Sequence, residues 1–294
     1  MKHFHLILMA SVLLAFCTGC EKDKDVSEAS PFSGNYNPLY HIQQIDYDIE
    51  ETGVEIGGTV SHSLTSLWHW TGNMLEQVDY NYDSQLSYDI QQSIDRYWYT
   101  NARIDSLKYY YPYSNKHRTY HFHYQHDRLT CIDYWINNQR YSTNYIYEHN
   151  SQYPSHIVYC RPAILHTEQD SVRMDWTLEW KNGNLLRATA DSVAWYNTGI
   201  AKIEYAYDNK VNPFQNFFTG NSLQNYCDIL ESPYSYCRNN MVQQTKYYKY
   251  HDDIETVTTH YNYQYDNRNR PTSVTYSYET MFYTTVTVTA HITY

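Results

Sequence analysis

The sequence is poor in glycine and in basic residues, and each shortage excludes a class of protein. Only 9 of its 294 residues are glycine, which is too few for a set of glycine-rich, ligand-cradling loops. Its 21 Lys and Arg residues are outnumbered by 32 Asp and Glu residues, giving a formal net charge of −11. Because nucleic acid is bound through clusters of Lys and Arg, and no such cluster occurs here, nucleic acid is not an expected partner.

Recognisable catalytic motifs are also missing. The sequence has no GxSxG, no SxxK, no GxxxxGK[ST] and no HExxH, and beyond residue 20 it has no Cys-x-x-Cys pair. We therefore predict a protein that is not an enzyme and that carries no cofactor and no metal. A hydrolase acting on polysaccharide or peptidoglycan stays as an alternative, because folding could bring any of the 32 acidic residues together.

The first twenty residues combine a short polar start, an apolar run and a cysteine. The apolar run, 6–16, suits a secretory signal peptide and is too short to span a bilayer. The segment 17–20, Cys-Thr-Gly-Cys, resembles the lipobox of bacterial lipoproteins, although Cys17 stands where Leu is usual. The resemblance implies a signal peptide over residues 1–19 and an acylated Cys20. It also implies an outer-membrane location through this lipid anchor, on the cell surface.

The segment that follows the lipobox differs in composition from the rest of the chain. Residues 21–38 are charged and rich in Ser, Gly and Pro, which predicts that 20–38 is the lipidated cysteine and a flexible tether. The charged start of this tether resembles the export signal of surface-exposed Bacteroidota-type lipoproteins. Residues 39–294 are predicted to form a single antiparallel β domain with an irregular insertion at 208–242.

Tyrosine dominates the aromatic residues, with 36 Tyr against 8 Phe and 7 Trp. Apolar residues occupy every second position through 120–124, 172–180, 261–265 and 286–294, with polar residues between them. A period of two is typical of a strand with one buried face, and Tyr, Trp, Val and Thr suit a half-buried sheet. These segments are therefore predicted to be β-strands.

A recurring turn pattern joins the strands: an aromatic residue, a short polar turn and then an apolar residue. It occurs over 70–75, 124–129 and 180–185, and the last of these contains Asn-Gly, a strong hairpin signal. The spacing predicts an all-β antiparallel meander of about sixteen strands, forming a barrel-like or strongly curved sheet. Residues 208–242 lack the alternation, and a short helix is predicted near 221–231.

Several of these segments together resemble a known family. Residues 207–214 (YDNKVNPF), the later Asn239-Asn240-Met241-Val242, the hairpin 263–274, the lipobox and the turn 70–75 are similar to Bacteroidota lipoproteins of unknown function. That family is described as having a porin-like fold, and the resemblance carries over no catalytic residue. The hairpins also resemble the tyrosine–aspartate repeats of Rhs-type shells, although this chain is too short to enclose a cargo domain.

A porin-like fold raises the question of whether the sheet crosses the membrane. A membrane barrel has an aliphatic outer band with aromatic girdles at its ends, whereas tyrosines run through the middle of these strands, as at Tyr145 and Tyr263. An unpaired hydroxyl facing hydrocarbon costs about 1–3 kcal/mol. The sequence therefore favours a tethered sheet in water over a membrane-spanning barrel.

Two groups of residues are candidates for binding, and each has a simpler explanation. Trp68 and Trp70 share one strand face and Trp176 and Trp180 another, so they could stack on sugar rings, but core packing is favoured because the face of Trp176 is uniformly apolar. His121 and His123 could chelate a metal. Without a third ligand at a known spacing, an exposed polar strand face is favoured. Asp46, Asp48 and Glu50 could bind Ca²⁺, but a solvated acidic strand is the more ordinary interpretation.

The remaining cysteines leave their pairing open. Cys131, Cys160, Cys227 and Cys237 permit three pairings in an oxidising compartment; Cys227 with Cys237 closes the shortest loop, and buried free thiols are an equal alternative. The predicted function is a non-catalytic surface lipoprotein that binds glycan or another envelope protein. A structural accessory subunit of an envelope assembly is the second hypothesis.

Overall fold

The computed structural model describes residues 18–19, 40–53, 58–84, 91–110, 117–136, 138–161, 172–191, 199–215, 233–250, 253–279 and 284–294. Strands account for almost all of the regular structure, as the alternation predicts. They are β1 (Thr18–Gly19), β2 (Gln44–Gly53), β3 (Gly58–Thr71), β4 (Met74–Ser84), β5 (Gln91–Thr100), β6 (Arg103–Tyr110), β7 (His117–Gln125), β8 (Arg128–Ile136), β9 (Gln139–Ile146), β10 (His156–Arg161), β11 (Val172–Lys181), β12 (Asn184–Ala190), β13 (Ile200–Val211), β14 (Asn239–Tyr250), β15 (Asp253–Tyr265), β16 (Pro271–Glu279) and β17 (Thr285–Thr293).

The strands β2–β17 form a closed antiparallel barrel of 16 strands. Each strand pairs with its neighbours in sequence, and the ring closes where β17 pairs with β2, from Thr285 opposite Thr52 to Thr293 opposite Gln44. Closure removes the unpaired edges that would otherwise invite aggregation. The two-residue β1 lies outside the ring and pairs with Lys210 and Val211 of β13. The all-β fold is thus confirmed, and the curved sheet is a closed barrel.

The two ends of the barrel differ. We call proximal the end at which β2 begins and β17 finishes, and distal the opposite end. At the proximal end, two-residue turns such as 101–102, 126–127 and 182–183 have positive φ at both positions, the geometry that matches the twist of a hairpin. The predicted turn pattern is confirmed at 70–75, 124–129 and 180–185, each with a register shift immediately before the aromatic residue.

Side chains fill the inside of the barrel. Inward-facing residues form one continuous hydrophobic cluster, and residues with no solvent exposure come from all around the ring: Ile45, Leu75, Leu107, Leu129, Ile157, Leu185, Ile203, Val274 and Ala290. A round barrel of this strand number leaves a water-filled channel. The inner walls of this barrel must therefore approach closely enough for their side chains to meet.

A collar of aromatic residues closes the proximal end of this core. One ring lies near the proximal end of each odd-numbered barrel strand: Trp70, Tyr99, Tyr124, Tyr147, Trp180, Tyr207, Tyr263 and Tyr294. Trp70, Tyr99, Tyr147, Trp180, Tyr207 and Tyr263 each donate a hydrogen bond of 2.7 or 2.8 Å to a backbone carbonyl on or just before the preceding strand. The collar explains why Tyr and Trp, rather than Phe, recur at the turns.

The segment between β13 and β14 contributes a plug to the same end. Phe214 is 1% exposed and packs edge-on against Trp68, with ring centroids 5.5 Å apart. Tyr236, also buried, shares a 2.6 Å hydrogen bond with Tyr145. Asn212 positions the segment, because its side chain accepts from the Phe214 amide at 2.9 Å and donates to the Cys237 carbonyl at 2.8 Å. A single turn of 3-10 helix, Pro233–Ser235, precedes Tyr236, and the helix predicted near 221–231 lies outside the described residues.

The outer wall is polar. Outward positions on β15–β17 and β2–β3 carry mainly Thr, Ser, Asn, Gln, His, Asp and Glu. Hydroxyl pairs bridge neighbouring strands there, including Thr275–Thr289 at 3.1 Å and Ser277–Thr287 at 2.8 Å. Within the part of the chain that the structure describes, no helix has the length and apolar character needed to cross a membrane.

Candidate functional site

The four tryptophans proposed to stack on sugars all lie on the inner face of the wall. Trp68 and Trp176 are 6% and 5% exposed and belong to the continuous core. Trp70 and Trp180 are half-buried members of the collar, and both use their indole N–H to bond a backbone carbonyl. Trp70 also stacks on His41, with a centroid distance of 4.2 Å. Core and collar packing therefore accounts for all four rings.

Two other tryptophans are exposed on the outer wall. Trp98 on β5 is 42% exposed and Trp135 on β8 is 58% exposed. Trp98 lies near the proximal end of its strand and Trp135 near the distal end of its own, with β6 and β7 between them. Because the two rings are far apart, they do not form one flat platform for a sugar chain.

Ionisable side chains line the inner wall towards the distal end. Glu51 continues the inward alternation of β2, and its carboxyl oxygen lies 4.0 Å from Nε2 of His62 on β3. On β5, Asp95 is 0% exposed and accepts a 3.1 Å hydrogen bond from the Tyr80 hydroxyl. Burial lowers the pKa of His62 and raises the pKa of Glu51, so both groups are held towards their neutral forms.

An arginine extends this polar lining. Arg118 lies opposite the buried Tyr109 and therefore faces inward. Its guanidinium carbon lies 5.0 Å from the Tyr134 ring, and it donates a 3.4 Å hydrogen bond to the Tyr120 hydroxyl. Together with Glu51, His62 and Asp95 this gives a distal inner wall of hydrogen-bonding groups, which we call the distal polar wall. The sequence signal that could have revealed this wall is an ionisable residue at a strand position where the alternation calls for an apolar one.

The paired histidines lie on the outer wall, as the alternation predicts. His121 and His123 are exposed on β7, and Asp133 of β8 lies directly opposite His121. The Asp133 carboxylate contacts Nε2 of His123 at 3.3 Å and is bound by Arg140 of β9 at 2.6 Å. The sequence indicated the two histidines, but only the strand register shows which acidic residue faces them.

The acidic residues of β2 are distributed along the outer wall as single side chains. Asp46 accepts hydrogen bonds from Gln44 and from Thr65, and Asp48 lies 3.9 Å from His291. Among the residues described, no group of three His, Cys, Asp or Glu side chains is arranged around a common point.

Three of the predicted cysteines lie in the described part of the barrel, and all three are free thiols. Cys131 and Cys160 face outward on β8 and β10, which flank β9, and they are offset by two residues along the strands. Their backbones are therefore about 12 Å apart, too far for a disulfide. Cys237 is buried beneath the plug, where desolvation raises its pKa to about 12. Cys227 lies outside the described residues.

A shallow groove of about 370 Å³ lies near the proximal end, between the ends of β5, β6 and β7. Arg103, Asp105 and His123 are among the residues that line it, and the adjacent Asp127 forms an ion pair with Arg103. The groove is remote from the distal polar wall and contains no recognisable nucleophile–base arrangement.

Comparisons with known proteins identify the fold but not the family. No protein-family model matches the sequence, and no curated protein is similar to it. The crystal structure of a porin-like protein from Bacteroides uniformis is similar over 88% of this chain and 98% of that chain, with 12% identity and a TM-score of 0.52. The expected porin-like fold is therefore confirmed. A LolA superfamily protein from Nitrosomonas europaea covers 89% of each chain at 9% identity, and its TM-score of 0.31 supports no conclusion.

Proposed function

We propose that this protein is a non-catalytic lipoprotein of the bacterial envelope, anchored to the outer membrane through Cys20 and exposed on the cell surface. In this proposal the barrel is a solid body that presents a binding surface, rather than a pore. The observation that carries the proposal is the filled interior inside a polar outer wall.

The filled interior argues against a channel. A conducting barrel requires a continuous aqueous path, whereas residues with 0% exposure occur in the walls all around this ring. The polar outer wall argues against direct insertion in a membrane. Its outward Asp46, Asp48 and Glu50 would face hydrocarbon in the middle of β2, where charged groups are strongly disfavoured.

The place where the chain enters the barrel supports one orientation of the barrel relative to the membrane. The backbone enters at Gln43, whose amide bonds the Thr293 carbonyl at 2.8 Å at the proximal end. A flexible tether over 21–38 would span about 25 Å on average. The lipid would therefore hold the aromatic collar towards the membrane, and the distal end would face outward.

The packing of the tryptophans favours a protein partner over a glycan. The four rings that could have formed a sugar platform are packed inside, whereas the outer wall offers hydrogen-bonding groups. The hydrolase alternative is disfavoured because His62 and Asp95 of the distal polar wall are 5% and 0% exposed, which leaves a substrate no access to them.

Fractionation of cells tests the anchor and the barrel together. We expect the unmodified chain in the outer-membrane fraction, digestible by protease added to intact cells, and Cys20→Ser in a soluble fraction. Cys17→Ser is the matched control, because it alters the same motif without removing the acylated residue. A Cys20→Ser chain that still required detergent for extraction would contradict the proposal.

A further inference from the structure

The outer wall carries a group of side chains that the function proposed above does not use. His121 and His123 stand two residues apart on β7, so both side chains project from the same face, and their Cα atoms are about 6.6 Å apart along the strand. Asp133 on β8 is the cross-strand partner of His121 and projects from that face too. Directly opposed residues in an antiparallel pair have Cβ atoms about 5 Å apart.

The Asp133 carboxylate is already oriented towards the histidines. One oxygen, Oδ1, lies 3.3 Å from Nε2 of His123, and the other, Oδ2, is held by the Arg140 guanidinium through contacts of 2.6 and 2.8 Å. The Asp133 side chain is about 10% exposed, whereas that of His123 is 52% exposed. A largely buried carboxylate that Arg140 holds in place therefore lies beside two imidazoles that solvent can reach.

We propose that His121, His123 and Asp133 bind a divalent cation of the zinc, nickel or copper type. Imidazole nitrogen suits these cations, and two His with one carboxylate is a common set of three protein ligands that leaves a coordination position for water. In the described part of the chain these side chains do not yet surround one point, so binding requires the exposed His121 ring to rotate towards Asp133.

Arg140 acts on this site through Asp133. Its guanidinium occupies Oδ2, which leaves Oδ1 for the cation and fixes the plane of the carboxylate, the arrangement of a residue that orients a metal ligand. The neighbouring Cys131 is not counted as a ligand, because its side chain is buried in the wall and its sulfur already accepts a contact of 3.9 Å from the same guanidinium.

The same wall supplies a matched control. His69 on β3 contacts Asp79 on β4 at 2.7 Å, and the His69 side chain is 51% exposed. This second His–Asp pair has no histidine two residues away, because Leu67 and Thr71 occupy those positions. If an exposed His–Asp contact alone held the cation, both pairs would bind equally.

The test is calorimetric titration of Zn²⁺ into the full chain in detergent, with the absorption spectrum of Co²⁺ as a second readout. We expect one site, with affinity falling at least about 100-fold in His121→Ala and in His123→Ala, since loss of an orienting residue alone costs 10–100-fold. His69→Ala should leave the affinity unchanged. Both histidines are exposed, so circular dichroism should show that the variants remain folded.

Two results would overturn the proposal. One is Zn²⁺ affinity that is the same in the unmodified chain and in a His121→Ala/His123→Ala double variant. The other is an absence of saturable binding to the unmodified chain. Neither result would bear on the lipid anchor or the filled barrel, because the site lies on the outer wall of β7 and β8 and the proposed function does not depend on it.

Discussion

Replacement of Phe214 by Ala tests whether the irregular segment after β13 is a packed part of the barrel. Phe214 is 1% exposed and its ring meets Trp68 edge-on at 5.5 Å. Removing a buried Phe leaves a cavity and costs about 3–5 kcal/mol of unfolding free energy. The upper half of that range is expected, because the rigid walls of a closed barrel cannot collapse into the space, and because the aromatic contact itself contributes about 0.5–1.5 kcal/mol.

Urea denaturation followed by tryptophan fluorescence measures this loss. The midpoint should fall while the dependence of the unfolding free energy on urea stays the same, since the surface exposed on unfolding is unchanged. Ile254→Ala is the control, because Ile254 is 65% exposed and its truncation should cost less than about 0.5 kcal/mol. A loss below about 1 kcal/mol in Phe214→Ala would refute the packed plug.

Two further substitutions test the collar and a surface ion network. Tyr263→Phe keeps the ring but removes the 2.8 Å hydrogen bond to the Met241 carbonyl. It should lower the unfolding free energy by about 0.5–1.5 kcal/mol in the same urea assay. An unchanged unfolding free energy would mean that this hydrogen bond does not stabilise the collar. Tyr247 donates a 2.6 Å hydrogen bond to Glu204 and holds the pKa of that carboxyl below its ordinary value of 4.5. A carboxyl whose pKa is lowered by folding stabilises the fold at pH values above its ordinary pKa. This stabilisation is lost as the pH falls through the lower pKa of the folded state. Glu204→Gln should therefore lower the unfolding free energy at pH 7, and its difference from the unmodified chain should shrink below pH 4.5. The control Glu50→Gln, at an exposed position, should leave the unfolding free energy unchanged at both pH values. A difference for Glu204→Gln that does not vary with pH would contradict this.

The strands and many of the turns were predictable because their signals are local. Alternation over 172–180 marks one strand and one buried face without reference to any other segment. The Asn182-Gly183 turn explains why β11 and β12 pair, because both of its residues accept the positive φ of a tight hairpin turn. The polar outward residues likewise follow from the period of two, which supports the preference for a sheet in water.

Closure and filling of the barrel were not predictable, because both depend on contacts far apart in the chain. No local pattern shows that β17 pairs with β2, or that Phe214 meets Trp68 across about 150 residues of sequence. The tyrosines illustrate the same limit. Tyr145 and Tyr263 were expected on the outer face, where their hydroxyls would meet hydrocarbon in a membrane barrel, and this placement is wrong. Both rings face inward, where Tyr145 shares a hydrogen bond with Tyr236 and Tyr263 donates one to the Met241 carbonyl.

The candidate sites divide in the same way. His121 and His123 were visible as a pair in the sequence, but their third partner, Asp133, is set by the register between β7 and β8. A shift of one residue would turn Asp133 to the inner face. The distal polar wall was missed because Glu51 and Asp95 were counted among many acidic residues, although each breaks an apolar alternation.

The central claim is that the inside of the barrel is solid, and paired cysteine substitutions on one strand test it most directly. Ala188 faces inward with 0% exposure, and the next residue, Thr189, faces outward and is exposed. Labelling of native Ala188→Cys and Thr189→Cys by a small thiol reagent, counted by mass spectrometry against the unmodified chain, compares the two faces. The account predicts rapid labelling at 189 and none at 188 until the protein unfolds. Equal labelling rates at both positions would mean that water fills the barrel and would contradict it.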